Sequence, residues 1–132
     1  MEKKTQHSLT WEVTDDMTAK RIGTAGSKIL STPNMLSLME ACALELAKEY
    51  LEDGMTTVGA EAHVRHLAPT PVGMKVTATA EVIAVSENGK MITFKISAFD
   101  EEGPIGEGTH TRAIISNDRF LLKCNEKLER MK

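Results

Sequence analysis

The feature that most limits the possible folds is a run of four strand-like segments that follows one long helix-like segment. Asn88-Gly89 is a strong hairpin signal between two of these segments, 74–85 and 91–99. The other two segments are Thr57–Leu67 and about Ile105–Ile115. Strict alternation predicts one buried face in 74–85, formed by Met74, Val76, Ala78, Ala80, Val82 and Ala84. Four consecutive strands favour an antiparallel sheet, with the helix covering one face in an α+β arrangement.

The long helix has clear start and stop signals. Thr32 is predicted to be the N-cap, and Pro33 suits the first helical position. The helix is expected to run to about Leu51 and to stop before Gly54. At helical spacing its apolar stripe comprises Leu36, Met39, Ala43, Leu46, Ala47, Tyr50 and Leu51.

Shorter elements flank this unit. A strand is predicted at Leu9–Thr14, a loop at Thr18–Ser31, and a terminal helix capped by Asn117. The terminal helix has an apolar seam of Phe120, Leu121, Cys124 and Leu128. A sheet wrapped around one long apolar helix is the hot-dog arrangement, which is the predicted fold.

Length and composition exclude several classes of protein. A chain of 132 residues is expected to form a single domain, 1–132. The net charge is −3 and no block of five like charges occurs, so no nucleic-acid partner is predicted. Without a signal-peptide pattern or a membrane-length apolar run, we expect a cytoplasmic protein with no membrane partner. Cys42 and Cys124 are expected to be ordinary buried thiols.

Glu40 departs from the helical pattern. It projects from within the apolar stripe, between Leu36 and Ala47, where a carboxylate loses hydration and needs a partner or a raised pKa. Local violations of this kind tend to mark functional positions.

The four histidines differ in their possible roles. His7 belongs to the N-terminal segment and is expected to have none. His63 and His66 are three residues apart on a strand and point to opposite faces, which argues against a metal site. His110 lies mid-strand and is compatible with a structural role. Alone on an apolar face with Val58, Ala60, Ala62 and Val64, His66 is interpreted as a hydrogen-bonded core histidine.

Together with Thr32 and Glu40, His66 supports a second interpretation. A Thr, a Glu and a His within hydrogen-bonding reach can polarise a carbonyl, activate a nucleophile and orient it. The N–H groups at the start of the helix also favour developing negative charge.

Three sequence blocks resemble the fluoroacetyl-CoA thioesterase-like branch of the hot-dog superfamily. The first is Leu30-Ser31-Thr32-Pro33-Asn34-Met35-Leu36-Ser37-Leu38-Met39-Glu40. The second is Val58-Gly59, followed by His66-Leu67-Ala68-Pro69-Thr70-Pro71-Val72-Gly73. The third is Gly106-Glu107-Gly108-Thr109-His110-Thr111-Arg112-Ala113. The resemblance extends from about Leu9 to the terminal helix.

This resemblance implies a homodimer that hydrolyses a small acyl-CoA thioester at two sites in the subunit interface. The family's catalytic Thr, Glu and His fall on Thr32, Glu40 and His66, and its glycine with a backbone role falls on Gly59. Glu40 would be the nucleophile or the base for water, His66 the proton shuttle, and Thr32 the positioning group. No cofactor is expected, because CoA is part of the substrate.

One departure concerns the acyl group. The fluoroacetyl-specific member of the family carries aromatic lid residues before the helix, and here Gly23 and Gly26 stand about where those would be. This argues against fluoroacetyl-CoA selectivity. The alternative function is a hot-dog module that binds acyl-CoA without turnover. A hot-dog dehydratase is less favoured, because the Asp-x4-His pattern is absent.

Overall fold

The computed structural model describes residues 3–19 and 28–132, so the predicted lid positions Gly23 and Gly26 lie outside the described residues. The described strands are β1 (Gln6–Glu12), β2 (Met55–His66), β3 (Lys75–Val85), β4 (Met91–Asp100) and β5 (Pro104–Ser116). They form one antiparallel sheet in the order β1-β3-β4-β5-β2. The helices are α1 (Thr32–Ala47) and α2 (Asn117–Glu129), with short 3-10 turns at Asp15–Met17 and Lys48–Tyr50.

The core lies between α1 and one face of the sheet. The alternation predicted for β3 is confirmed where the sheet is covered, because Val76, Ala78 and Ala80 are buried against α1. On β4 the buried residues are Ile92, Phe94, Ile96 and Ala98, and on α1 they are Met35, Leu38, Met39, Cys42, Ala43, Leu46 and Ala47. The predicted α+β hot-dog architecture is confirmed. No helix among the described residues is long and apolar enough to cross a membrane.

The start of α1 differs from the prediction by one residue. Ser31 is the N-cap, with extended backbone and a side-chain oxygen that accepts from the Asn34 N–H, whereas Thr32 is already helical. The prediction that Thr32 caps the helix is therefore wrong. Since a serine one residue earlier performs the capping, the hydroxyl of Thr32 is available for another bond.

A β-bulge changes the faces of β2. The pairing of β2 with β5 shifts between Gly59 and Glu61, so that Ala60 is the extra residue. Val58 and Ala60 therefore do not share a face with His66, contrary to the simple alternation. Gly59, before the bulge, and His66, after it, both face the side of the sheet that α1 covers. The alternating sequence of β2 does not reveal that the side chains before and after the bulge differ in phase.

Two glycines on β5 allow close approach of neighbouring segments. A β-carbon on Gly108 would overlap the backbone carbonyl of His63, and one on Gly106 would lie 2.5 Å from the Met35 sulfur. Gly108 therefore permits the pairing of β5 with β2, and Gly106 permits α1 to lie close to the sheet.

The terminal helix α2 also departs from expectation. Ser116, rather than Asn117, is its N-cap, and its side chain accepts from the Arg119 N–H. None of the residues of α2 is buried, so the predicted apolar seam is exposed. Cys124 is consequently exposed, whereas Cys42 is buried and its burial raises the pKa of its thiol to about 11.

Candidate active site

The first part of the site is a hydrogen-bonded pair at the N-terminal end of α1. The Thr32 hydroxyl lies 2.7 Å from Nδ1 of His66, which is the last residue of β2. Thr32 is held by the first turn of α1 and His66 by the pairing of β2 with β5. The pair therefore joins two rigid elements, a common basis for precise catalytic geometry.

The second ring nitrogen of His66 has no partner. Its Nε2 is buried and makes no hydrogen bond to any described residue. Burial lowers the pKa of His66, which keeps the imidazole neutral at pH 7. A buried imidazole nitrogen without a partner is costly unless a ligand, a water or a second chain supplies one. This nitrogen is well placed to exchange a proton with such a group.

The second part of the site surrounds Glu40. A β-carbon built on Gly59 would lie 3.3 Å from Glu40 Oε2, 3.3 Å from His110 Cε1 and 3.6 Å from Arg112 Nη1. The half-buried carboxylate of Glu40 thus rests against the backbone of β2 where a side chain would displace it. The prediction that Glu40 projects from an apolar face toward the sheet is consistent with this placement.

A buried polar network supports this second group. Arg112 is 7% exposed and donates through Nε to the Thr57 hydroxyl at 2.8 Å and through Nη2 to the Thr57 carbonyl at 3.1 Å. Its Nη1 lies 3.1 Å from His110 Nε2, and His110 Nδ1 lies 2.8 Å from the Glu61 carbonyl.

These contacts fix the protonation of His110. A guanidinium can only donate, so His110 Nε2 accepts from Arg112 and Nδ1 donates to Glu61. Burial, followed by the adjacent Arg112 charge, lowers the pKa of His110, although the Glu61 carbonyl and the Glu40 charge act in the opposite direction. A neutral imidazole and a positive guanidinium therefore stand beside Glu40.

The structure brings the predicted residues together as two groups rather than as one. Thr32 pairs with His66, and Glu40 lies beside Gly59. Thr32 and Glu40 are eight residues apart on α1, which separates them by about 12 Å along the helix axis. Gly59 and His66 are about 20 Å apart along β2. Within one chain, Glu40 is therefore out of hydrogen-bonding reach of His66.

Sequence reasoning missed the pairing of His110 with Arg112. A signal was present, because β5 alternates and places these residues on the same face as Ile114, which packs against the core. Two polar residues on a core face depart from the apolar pattern in the same way as Glu40, and such departures tend to mark functional positions. Within residues 3–19 and 28–132, no group of three or more His, Cys, Asp or Glu side chains is arranged to hold a metal ion.

The fold and the arrangement of these groups define a hot-dog protein of the thioesterase type. The structure superposes on that of the fluoroacetyl-CoA thioesterase FlK with a TM-score of 0.87 and 30% identity, covering 96% of this chain and 97% of the other. A thioesterase superfamily member from Thermus thermophilus, at 23% identity, shares the fold with a TM-score of 0.89 over 98% of this chain and 95% of its own.

Sequence comparison defines the family more narrowly. Residues 13–118 match the fluoroacetyl-CoA-specific thioesterase family. The fluoroacetyl-CoA thioesterase of Streptantibioticus cattleyicolor is 37% identical over 100 residues, which span 76% of this chain and 70% of that enzyme. The chain belongs to the fluoroacetyl-CoA-specific thioesterase family, and the resemblance inferred from the sequence blocks is confirmed.

Proposed function

We propose that this protein hydrolyses the thioester bond of a small acyl-CoA, releasing the free acid and CoA. The observation that carries the proposal is the Thr32–His66 pair, whose second imidazole nitrogen is buried and has no partner among the described residues. Membership of a thioesterase family supplies the reaction class. The neutral imidazole supplies a group that can accept and return a proton at pH 7.

Two routes fit Glu40. As a general base, its carboxylate takes a proton from water, whose oxygen bonds to the acyl carbon while the C–S bond breaks. As a nucleophile, it forms an acyl anhydride by displacing the thiolate, and water then cleaves that anhydride. In both routes the sulfur leaves as a thiolate. His66 Nε2 accepts the proton that the attacking water releases, directly or by way of Glu40, and passes it to that thiolate, while Thr32 orients the ring. Gly59 leaves room for this carboxylate to lie against the backbone of β2.

Arg112 and His110 act as positioning residues in this scheme. Arg112 is anchored by Thr57, so its charge is fixed at the side of Glu40. The two opposite charges attract each other, so the anchored guanidinium helps to hold in place the carboxylate that both routes use. Neither residue needs to touch the substrate to have this effect.

We further propose that the complete site forms between two copies of the chain. Among the described strands β2 is at the edge of the sheet and pairs with β5 alone, and residues 59–63 are all exposed. An uncovered twelve-residue edge strand is a ready surface for pairing with another strand. Antiparallel pairing of two β2 strands about a twofold axis near Ala62 would bring Gly59 of one protomer alongside residues 64–66 of the partner subunit, because the bulge at Ala60 takes up one residue. The Glu40 group of one protomer would then meet the partner's His66.

The test is thiol release from a panel of acyl-CoA esters, including acetyl, fluoroacetyl and longer branched or aromatic acyl groups. We expect turnover by the wild type and a fall of about 100- to 10,000-fold in Glu40→Gln. Glu45→Gln, on an exposed position of the same helix, is the matched control and should keep its rate. Thermal stabilisation by acyl-CoA without any turnover would instead establish a binding module.

A further inference from the structure

Thr70 is a fully buried polar residue that the proposed reaction does not use. It lies on the segment 67–74 between β2 and β3, four residues after His66, and is 0% exposed. A buried hydroxyl costs free energy unless it is hydrogen-bonded. The Thr70 hydroxyl donates to Oδ2 of Asp100, the last residue of β4, at 2.8 Å. This bond therefore fixes the connecting segment to the end of a central strand.

Asp100 is a strong anchor for this bond. Its Oδ1 accepts from the N–H groups of Glu102 and Gly103 at 2.8 and 3.2 Å, while Oδ2 accepts from Thr70. Burial acts to raise the pKa of Asp100, but these three hydrogen bonds outweigh it and hold the pKa below its ordinary value. Asp100 is therefore a carboxylate at pH 7, and hydrogen bonds to a charged acceptor are stronger than neutral ones.

The backbone of Thr70 connects this anchor to both halves of the Thr32–His66 pair. The Thr70 carbonyl accepts from the Leu30 N–H at 2.8 Å, two residues before Thr32. Along its own segment, Thr70 is four residues from His66. The hydrogen bonds from Asp100 through Thr70 to Leu30 thus hold together the two segments that must be in register for the 2.7 Å contact between Thr32 and His66. Hydrogen bonds weaken steeply when their distance or angle changes, so this contact depends on the position of Thr70.

We propose that Thr70, anchored by Asp100, is a positioning residue that sets the separation of Thr32 and His66 and thereby the orientation of the imidazole. This inference rests on the proposed function, because that imidazole is the group proposed to transfer the proton. Thr70 acts through the ring and needs no contact with the substrate. It stands in the second of the sequence blocks, where the sequence gave it no role.

The first experiment is Thr70→Val, because valine fills nearly the same space and removes the hydroxyl. We expect kcat with an acyl-CoA ester to fall about tenfold, and Thr70→Ser, which restores the hydroxyl, to keep most of the wild-type rate. Thr93→Val is the matched control, since it removes a hydroxyl that bonds to Thr111 at 3.0 Å elsewhere in the sheet, and it should keep the rate. An unchanged rate in Thr70→Val would overturn the proposal.

A double-mutant cycle separates positioning from a general loss of stability. In Thr32→Ala the imidazole has already lost its partner, so adding Thr70→Val should lower kcat much less than it does in the wild-type background. Equal losses in the two backgrounds would show that Thr70 acts independently of the pair, against the proposal. If Thr70→Val does not fold, Asp100→Asn provides the same test, because its amide offers one acceptor oxygen to three donors. Its effect on kcat should likewise shrink in Thr32→Ala.

Nuclear magnetic resonance of the His66 ring gives a readout that needs no turnover. The chemical shift of Nδ1, assigned by comparison with His66→Gln, reports the hydrogen bond to Thr32. We expect Thr70→Val to move this shift in the same direction as Thr32→Ala, and Thr93→Val to leave it in place. An unmoved shift in Thr70→Val would contradict the positioning role. A moved shift in a protein that hydrolyses no thioester would support that role while overturning the proposed hydrolysis.

Discussion

At the scale of single residues, Ser31 and Thr32 divide two tasks that the sequence assigned to one position. The Ser31 side chain accepts from the Asn34 N–H and so satisfies one of the free backbone donors in the first turn of α1, while Thr32 forms a hydrogen bond with His66. Ser and Thr are both favoured N-cap residues. Which of the two caps the helix depends on the backbone conformation at each position, and residue type alone does not determine that conformation. The family resemblance nevertheless singled out Thr32, because the family's Thr, Glu and His fall on Thr32, Glu40 and His66.

This division of tasks predicts opposite effects of two neighbouring substitutions. Ser31→Ala should lower the free energy of unfolding by about 1 kcal/mol, because a helix cap is lost, with little change in kcat. Thr32→Ala should lower kcat about 10- to 100-fold, because the His66 ring loses its orienting partner. Urea denaturation and steady-state kinetics measure the two effects.

Thr32→Ser is the control, since it keeps the hydroxyl and should keep most of the activity. A large loss of stability in Thr32→Ala together with normal turnover would show that Thr32 is a structural residue.

At the scale of elements, β2 shows what periodicity can and cannot predict. The existence of the strand and its place after α1 were predictable from alternation, and the prolines beyond it placed its end at Leu67, one residue past the observed end at His66. The bulge at Ala60 was not, because one extra residue changes the phase of alternation without changing the composition of the strand. Its consequence is that Gly59 and His66 face the same side of the sheet.

The two glycines of β5 give an element-scale prediction. Gly108→Ala should strongly destabilise the protein, because its β-carbon overlaps a backbone carbonyl of β2 that cannot move without breaking the strand pairing. Gly106→Ala should cost less, because the nearest atoms belong to the flexible end of Met35. We expect a difference of at least about 1 kcal/mol between the two variants in urea denaturation. Equal stabilities would contradict the close strand approach at Gly108.

At the scale of the whole molecule, stability depends on pH through the buried network around His110. Burial and the Arg112 charge lower the pKa of His110. As the pH falls below 6.5, His110 therefore becomes protonated more readily in the unfolded chain than in the folded chain. The stability contribution is therefore complete above pH 6.5 and is lost as the pH falls. A proton on His110 Nε2 would also point at the Arg112 Nη1–H, so the hydrogen bond between these two atoms would be lost.

We expect the melting temperature to fall between pH 7 and pH 5 more steeply in the wild type than in His110→Gln. The amide of Gln can accept from Arg112 and donate to Glu61 without titrating. His63→Gln is the matched control, because His63 is exposed, and its pH profile should follow that of the wild type. Parallel profiles for wild type and His110→Gln would show that His110 does not drive the pH dependence.

The two separate groups of the active site give the last prediction, which also concerns the whole molecule. Sequence spacing indicated which residue types belong together, but it could not show that Glu40 and His66 are out of reach within one chain. If each complete site combines Glu40 of one protomer with the partner's His66, a hybrid of Glu40→Gln and His66→Gln chains contains one intact site and one doubly defective site. Each variant alone has none.

Mixing the two inactive variants at equal concentration, with unfolding and refolding to exchange subunits, should therefore restore about one quarter of the wild-type activity, since half of the dimers are hybrids with one working site. A mixture of Glu40→Gln with Glu40→Ala is the control and should stay inactive. If the mixture of Glu40→Gln and His66→Gln remains as inactive as its parents although hybrids form, each site is built within one chain. Glu40 would then have to reach His66 by a movement of α1 relative to β2.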